Sequence, residues 1–464
     1  MLGALLATFG LGHAGAAVAA GAPVLSQLPG GGGCVVWQGE RRGCANAVGM
    51  TRSDGMALSP DGRQLYVATM NPVLPEVGEP PEGSPFGGVV VIQRDSISGA
   101  VSQELSVAPC LSESGTGGCV RAQALHAPDG VVVSPDGANI YVISGSAGNG
   151  STALAFRGTL AAFARDPSTG ALTQLGGSDA CLGAGDCTPT PGIGGPKALA
   201  ISGDGRFLYV AGTHGTGDHV RIGILARDPG TGALHEVGQS QLRPQGGVGV
   251  GGIALSPDGR QLYVVTTHGV AALQRNPDDG RLSQLAGRRG CVAQGGGSGC
   301  TAAHRMTDPQ GIAVSRDGRN VYVGSGRPGG LVVLRRKGGT GALSQPAGAR
   351  GCVGATRQSP GGCAVSRGLH FGPSAIAVTP DGGRVYATSE SAGATAILGF
   401  ARGAGGALRQ LPGAAGCVTN EAVRRRACAS TVRALSEPTQ IAFSADSAFA
   451  YVDATGVLAF RARG

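Results

Sequence analysis

Along most of the chain, apolar residues alternate with small or polar ones over runs of five to seven positions, and each run ends in a cluster of Gly, Asp, Pro or Thr. A period of two marks strands with one buried face, and Asp-Gly between two such runs marks a hairpin. The stretch GIAVSRDGRNVYVGS at 311–325, followed by GLVVLRRKGGTGALSQ at 330–345, shows the full grammar. It predicts a strand, an S-x-D-G turn, a second strand carrying a tyrosine, a third strand, a T-G turn and a fourth strand of the ALSQ type.

This unit recurs seven times. LSPDGRQLYV stands at 58–67 and, letter for letter, at 255–264, and weaker copies read VSPDGANIYV, ISGDGRFLYV, VSRDGRNVYV, VTPDGGRVYA and FSADSAFAYV. The turn aspartates are Asp61, Asp136, Asp204, Asp258, Asp317, Asp381 and Asp446, spaced 54 to 75 positions apart, and all seven tyrosines of the chain stand five residues after them. Seven units of four antiparallel strands predict an all-β, seven-bladed propeller. The last unit stops at GVLAFRARG after its third strand, while a fourth-strand sequence, VLSQL, stands at 24–28. A strand from the amino terminus is therefore expected to complete the last blade and close the ring, leaving no radial edge open.

Composition narrows the class. Of 464 residues, 86 are glycine, without the three-residue period of collagen, and the regular Val, Ile, Leu and Tyr runs argue against disorder. The net charge of +8 is diluted over scattered arginines, Lys197 and Lys337 being the only lysines. The one cluster, Arg424 to Arg426, falls in a loop bounded by cysteines and reads as solvated, so no nucleic-acid partner is expected. Residues 1–22 are apolar, end in small side chains and contain A-x-A sites, as a signal peptide does, although a basic start to this leader is missing. No other segment is long and apolar enough for a membrane helix. The expectation is one propeller domain over 23–464, monomeric and located outside the cell or in its envelope.

The repeat pattern [IV]-A-[LV]-S-P-D-G-R-x-[LV]-Y-V, with RDPSTGAL at 165–172 and RDPGTGAL at 227–234, resembles the lactonase-like propellers called YVTN-repeat proteins. The resemblance covers nearly all of the chain beyond the leader. It implies the seven-bladed fold and, more weakly, lactone hydrolysis, because the matching residues recur in every blade as structural ones do.

The 12 cysteines fall as close pairs after each fourth strand: Cys34 and Cys44, Cys110 and Cys119, Cys181 and Cys187, Cys291 and Cys300, Cys352 and Cys363, Cys417 and Cys428. The connector around 239–251 has none. Paired modular cysteines in an exported chain predict six local disulfides rather than zinc, whose ligand spacings are absent.

In a propeller the innermost strand starts at one face, so residues seven positions before each turn aspartate form a ring at the channel mouth. These are Asp54, Asp129, Lys197, Gly251, Gln310, Ser374 and Thr439. Loops opening on that face add His214, His219, His268, Glu390 and the acidic loop with Glu76, Glu79 and Glu82. Binding or catalysis belongs there. Asp54, Asp129, Lys197, Gln310 and Glu390 are candidate ligand-binding residues. Asp54 and Asp129 could hold calcium or pair with Lys197, and no cofactor is otherwise expected. His214 and His268, equivalent T-H-G positions of neighbouring blades, are candidate acid and base. No G-x-S-x-G, H-E-x-x-H or phosphate-loop pattern occurs. Two readings follow: a secreted binding or scaffold propeller presenting its stapled face to a small molecule, glycan or protein, and a lactone hydrolase.

Overall fold

The computed structural model describes residues 25–462 except 38–42, 71–86, 107, 146–157, 215–218, 243–248, 327–328, 356–361, 370, 392–393, 421–427 and 429–430. The expected leader, the acidic loop with Glu76, Glu79 and Glu82, and Arg424 to Arg426 lie outside the described residues.

Seven antiparallel sheets stand around an axis. The innermost strands are Arg52–Leu58, Pro128–Val133, Pro196–Ile201, Val250–Leu255, Pro309–Val314, Ile376–Val378 and Gln440–Phe443. In blade 1, Arg52–Leu58 pairs with Gln64–Met70, which pairs with Gly88–Arg94, and the other blades repeat this order. Apolar side chains of the second and third strands fill the spaces between blades, as where Val67 and Ile92 of blade 1 pack with Tyr451 and Val457 of blade 7.

The outer strand differs from the simple fourth strand expected. In six blades it is split in two, and a short fifth strand then adds in parallel; in blade 1 the pieces are Val101–Ser102, Cys110–Ser112 and Val120–Arg121. Each disulfide joins the second piece to the entry of the fifth strand, and all six pair as the sequence predicts, across separations of 6 to 11 residues. Loops this short gain about 2 to 3 kcal/mol each from closure. Blade 3, which has no cysteine pair, instead keeps one continuous outer strand, Leu234–Gln241.

The ring closes as predicted. Leu25–Gln27 pairs antiparallel with Gly456–Ala462, and Cys34–Trp37 continues the pairing at the other end of that strand. Leu28 adds an N–H bond to the Ala459 carbonyl.

The repeat residues form a latch between blades. The Tyr66 hydroxyl donates to the Gly170 carbonyl of blade 2 at 2.9 Å and accepts from Arg165 Nε at 2.7 Å. The same guanidinium reaches back to the turn carboxylate Asp61 of blade 1 at 2.7 Å. Tyr141 with Arg227, Tyr209 with Arg275, Tyr263 with Arg336 and Tyr322 with Arg402 repeat the arrangement, and Tyr451 with Arg94 repeats its tyrosine–arginine bond. Burial pushes most of these phenols up to about 12. Burial also opposes ionisation of Asp317, yet hydrogen bonds from Ser315 and Arg402 outweigh it and hold the carboxyl at about 2. The R-D-P-x-T-G segment is thus accounted for: its arginine is the latch, its aspartate caps the turn, and Gly170 sits at φ 78°. Tyr386 is the exception. The strand position held by arginine elsewhere is Ala462 in blade 7, and among the described residues the Tyr386 hydroxyl has no hydrogen-bond partner.

A second latch lies at the rim. Gln103 accepts from Val48 N at 2.7 Å and donates to Val48 O at 2.9 Å, binding blade 1 to blade 7, and Gln174, Gln345, Gln410 and Gln27 do the same at other seams. Blade 3 has Glu236 at this position. It accepts from Gly192 N at 3.3 Å, while its Oε1 is buried without a partner. Glu236→Gln supplies an amide donor there and is expected to raise unfolding stability by about 1 kcal/mol in urea titrations. A lower midpoint would count against the rim latch.

Candidate functional site

The axial channel opens into a cavity of about 680 Å³ whose lining includes Asp54, Asp129, Lys197, Gly251, Ser374 and Thr439. These are six of the seven ring positions, each at the start of an innermost strand. The seventh, Gln310, is exposed beside the cavity, where its backbone meets Gly251. Glycine is needed at such places because the inner strands nearly touch: a Cβ on Gly55 would stand 2.8 Å from the Gly130 Cα, and one on Gly311 would stand 2.4 Å from the Ser374 carbonyl oxygen. Apolar side chains such as Val131, Leu199 and Ile253 line the cavity along with these groups.

Charge is concentrated over blades 7, 1, 2 and 3. Lys197 Nζ donates to both oxygens of Asp129 at 3.2 Å, with the carboxylate mostly buried and the ammonium half-exposed. Burial raises the Asp129 pKa, and Lys197 offsets part of the rise. Asp54 is also raised by burial, against the lowering pull of Arg52 and Lys197. Arg52 stands 3.8 Å from Asp54 and 3.4 Å from Glu437. Glu437 adopts φ 46°, a conformation unfavourable for a side chain with a Cβ, immediately before the proline that leads into blade 7. Glu390 is exposed at the end of the second strand of blade 6, and partial burial and the neighbouring Glu437 raise its carboxyl.

Behind this rim lies a residue that sequence reasoning passed over. Asp453 ends the second strand of blade 7 with no exposed surface, and its Oδ2 accepts the Thr439 hydroxyl at 2.8 Å. Its Oδ1 is buried without a partner. Burial pushes this carboxyl up to about 7, outweighing the hydrogen bond from Thr439, and Asp54 adds to the rise. The signal was available. Two residues after the tyrosine the other blades carry Ala68, Ile143, Ala211, Val265, Gly324 and Thr388, so aspartate alone breaks an uncharged series.

Of the two candidate histidines, only His268 has a described side chain. His268 is exposed in the two-residue turn between Gln261–Thr266 and Gly269–Arg275, beside Cys291 and Cys300, and does not line the axial cavity. His214 ends the second strand of blade 3, its backbone opposite His219; its side chain is outside the described part. Among the described residues, no three His, Cys, Asp or Glu side chains are grouped as a metal site requires. Asp54 and Asp129, considered for calcium, instead lie among Arg52 and Lys197. No helix among the described residues is long and apolar enough to cross a membrane.

In fold the chain is similar to the periplasmic gluconolactonase of Pseudomonas aeruginosa, at 19% identity and a TM-score of 0.53, covering 87% of this chain and 96% of that one. It is also similar to two proteins provisionally described as 6-phosphogluconolactonases. One, from Bacteroides fragilis, has 15% identity, a TM-score of 0.53 and coverage of 84% and 88%; the other, from Bacteroides uniformis, has 17%, 0.51, and 77% and 83%. No protein-family model and no curated protein matches the sequence. At these identities the likeness is one of fold, a seven-bladed propeller.

Proposed function

We propose that the axial mouth binds a small polyhydroxylated lactone and opens its ring with water. The observation that carries this reading is the convergence of two carboxyls of raised pKa, Asp54 and Asp129, and the half-exposed Lys197 on one cavity of about 680 Å³. That volume suits a small molecule better than a recognition surface made of loops, which the sequence alone placed first. Asp54 takes a proton from the attacking water, because its carboxylate is more basic than an exposed one and is not spent on a short ion pair. Lys197 stabilises the oxyanion formed at the lactone carbonyl. Breaking of the ring C–O bond leaves an alkoxide that takes back the proton held by Asp54, so the carboxylate is restored and the product is the open hydroxy acid. Six disulfides fit an oxidising compartment, and the fold is shared with a periplasmic gluconolactonase, so action outside the cytoplasm is part of the proposal.

Acid release from glucono-lactone, followed at fixed pH, tests it. Asp54→Asn is expected to lower kcat/KM by about 10² to 10⁴, and Lys197→Met by about 10² to 10³. His268→Gln should leave the rate unchanged. Absence of saturable turnover in the parent would return the protein to the binding or scaffold reading.

A further inference from the structure

We propose that Asp453 is a buried neutral carboxylic acid that positions the Thr439 hydroxyl at the channel mouth and, once ionised, makes the neighbouring Asp54 more basic. The inference rests on the reading of the mouth as the binding site, but begins from an independent geometric fact. A carboxylate fully removed from water is tolerated when cations or several donors satisfy it, and here one oxygen has only the Thr439 hydroxyl while the other has no partner. No guanidinium or ammonium reaches Asp453 among the described residues. The groups facing this corner are Arg52 and Asp54 on the first strand of blade 1, Glu437 before the first strand of blade 7, and Glu390 on blade 6. Arg52 is shared between Asp54 and Glu437, which leaves the acid behind them uncompensated.

Thr439 is the connection to the cavity, since it lines the mouth and also bonds Asp453. While Asp453 is neutral, its O–H can donate to Thr439 Oγ1, which frees the threonine proton to point at a ligand oxygen. Once Asp453 ionises, the threonine must donate backwards, and a second negative charge stands beside Asp54. The mouth thereby loses a donor to its ligand and gains a more basic Asp54 as pH rises. Asp453 acts through Thr439 and Asp54 and is a positioning residue; Thr439 touches the ligand.

The linkage has a definite sign. A carboxyl with an ordinary value of 3.8 and a folded value of about 7 binds its proton more tightly in the fold. Its stabilising contribution is therefore complete below pH 3.8 and is lost as pH rises through about 7. Asp453→Asn keeps the shape and cannot ionise. Melting temperatures of parent and variant are to be measured from pH 4 to pH 8. The variant is expected to gain on the parent as pH rises, the gap widening by about 3 °C or more, with shared titrations cancelling. A gap that stays constant would overturn the inference whether or not the protein opens lactones.

With turnover in hand, the rate profile decides the second half. The parent is expected to show an extra ionisation near pH 7, which Asp453→Asn abolishes. Thr439→Val should raise KM several-fold and leave the pH dependence of melting in place. An unchanged profile in Asp453→Asn would remove the claimed coupling to Asp54. If the parent has no lactone turnover, the proposed function falls alone, because the melting comparison still decides the state of Asp453.

Discussion

A chain begun at residue 29 is expected to lose cooperative unfolding. Leu25 and Leu28, at 3% and 8% exposure, are both part of the core, and burial of each contributes about 1.5 to 3 kcal/mol. The same deletion removes the pairing of Leu25–Gln27 with Gly456–Ala462 and the amide bonds between Gln27 and the Arg433 backbone. It also removes the Leu28 carbonyl, one of three main-chain oxygens held by the Arg433 guanidinium. Together these approach roughly 5 kcal/mol, comparable with the whole stability of many domains. The Phe460–Ala462 end of that strand, left unpaired, would then invite pairing with other chains. Circular dichroism melts with light scattering read both effects; a truncated protein that melts with the parent and stays clear in solution would refute closure by this strand.

The other large effect is expected at the inner latch. Arg165→Met keeps much of the side-chain volume but removes bonds to Tyr66, Gly137 and Asp61 in a place where the arginine side chain is 2% exposed. Asp61 is partly open to water and can be resolvated, so the loss should be about 2 to 4 kcal/mol rather than the full cost of a stranded buried charge. Guanidinium titration measures it. Adding Tyr66→Phe should cost less in the Arg165→Met background than in the parent, because the two residues share one interaction. Strict additivity would mean that the latch is not an energetic unit.

The seven-bladed ring and its closure were legible because both rest on repetition. Seven copies of a hairpin around Asp-Gly and a displaced VLSQL segment leave few alternatives, and cysteines 6 to 11 residues apart can meet only locally. The fifth strands were not legible, since Val120–Arg121 and Thr188–Pro189 are too short to show a period. Part of the mouth followed from register alone: counting back from the turn aspartates placed Asp54, Asp129 and Lys197 on the cavity lining. Counting along a strand could not show that Glu437, Arg52 and Asp54 gather there, because they come from blades at opposite ends of the chain. His268 shows the limit of the same reasoning. Equivalent positions in neighbouring blades meet at the axis, where Gly55 and Gly130 nearly touch, but the blades diverge with radius, and a turn between second and third strands lies beyond that meeting point.

The placement of the disulfides also imposes an order of assembly. Every bridge joins residues no more than 11 apart, and none crosses from one blade to another. Each can therefore be made as soon as its own short segment emerges, without waiting for a later part of the chain and with little opportunity for mispairing. Blade 7 is the exception in timing. The Cys34–Cys44 loop can close while the chain is still being made, yet the strand it must join, Gly456–Ala462, follows the other six blades in the chain. Of the six bridges, the one made earliest thus belongs to the blade that closes the ring, and until Gly456–Ala462 emerges its unpaired strand must be kept from other partners.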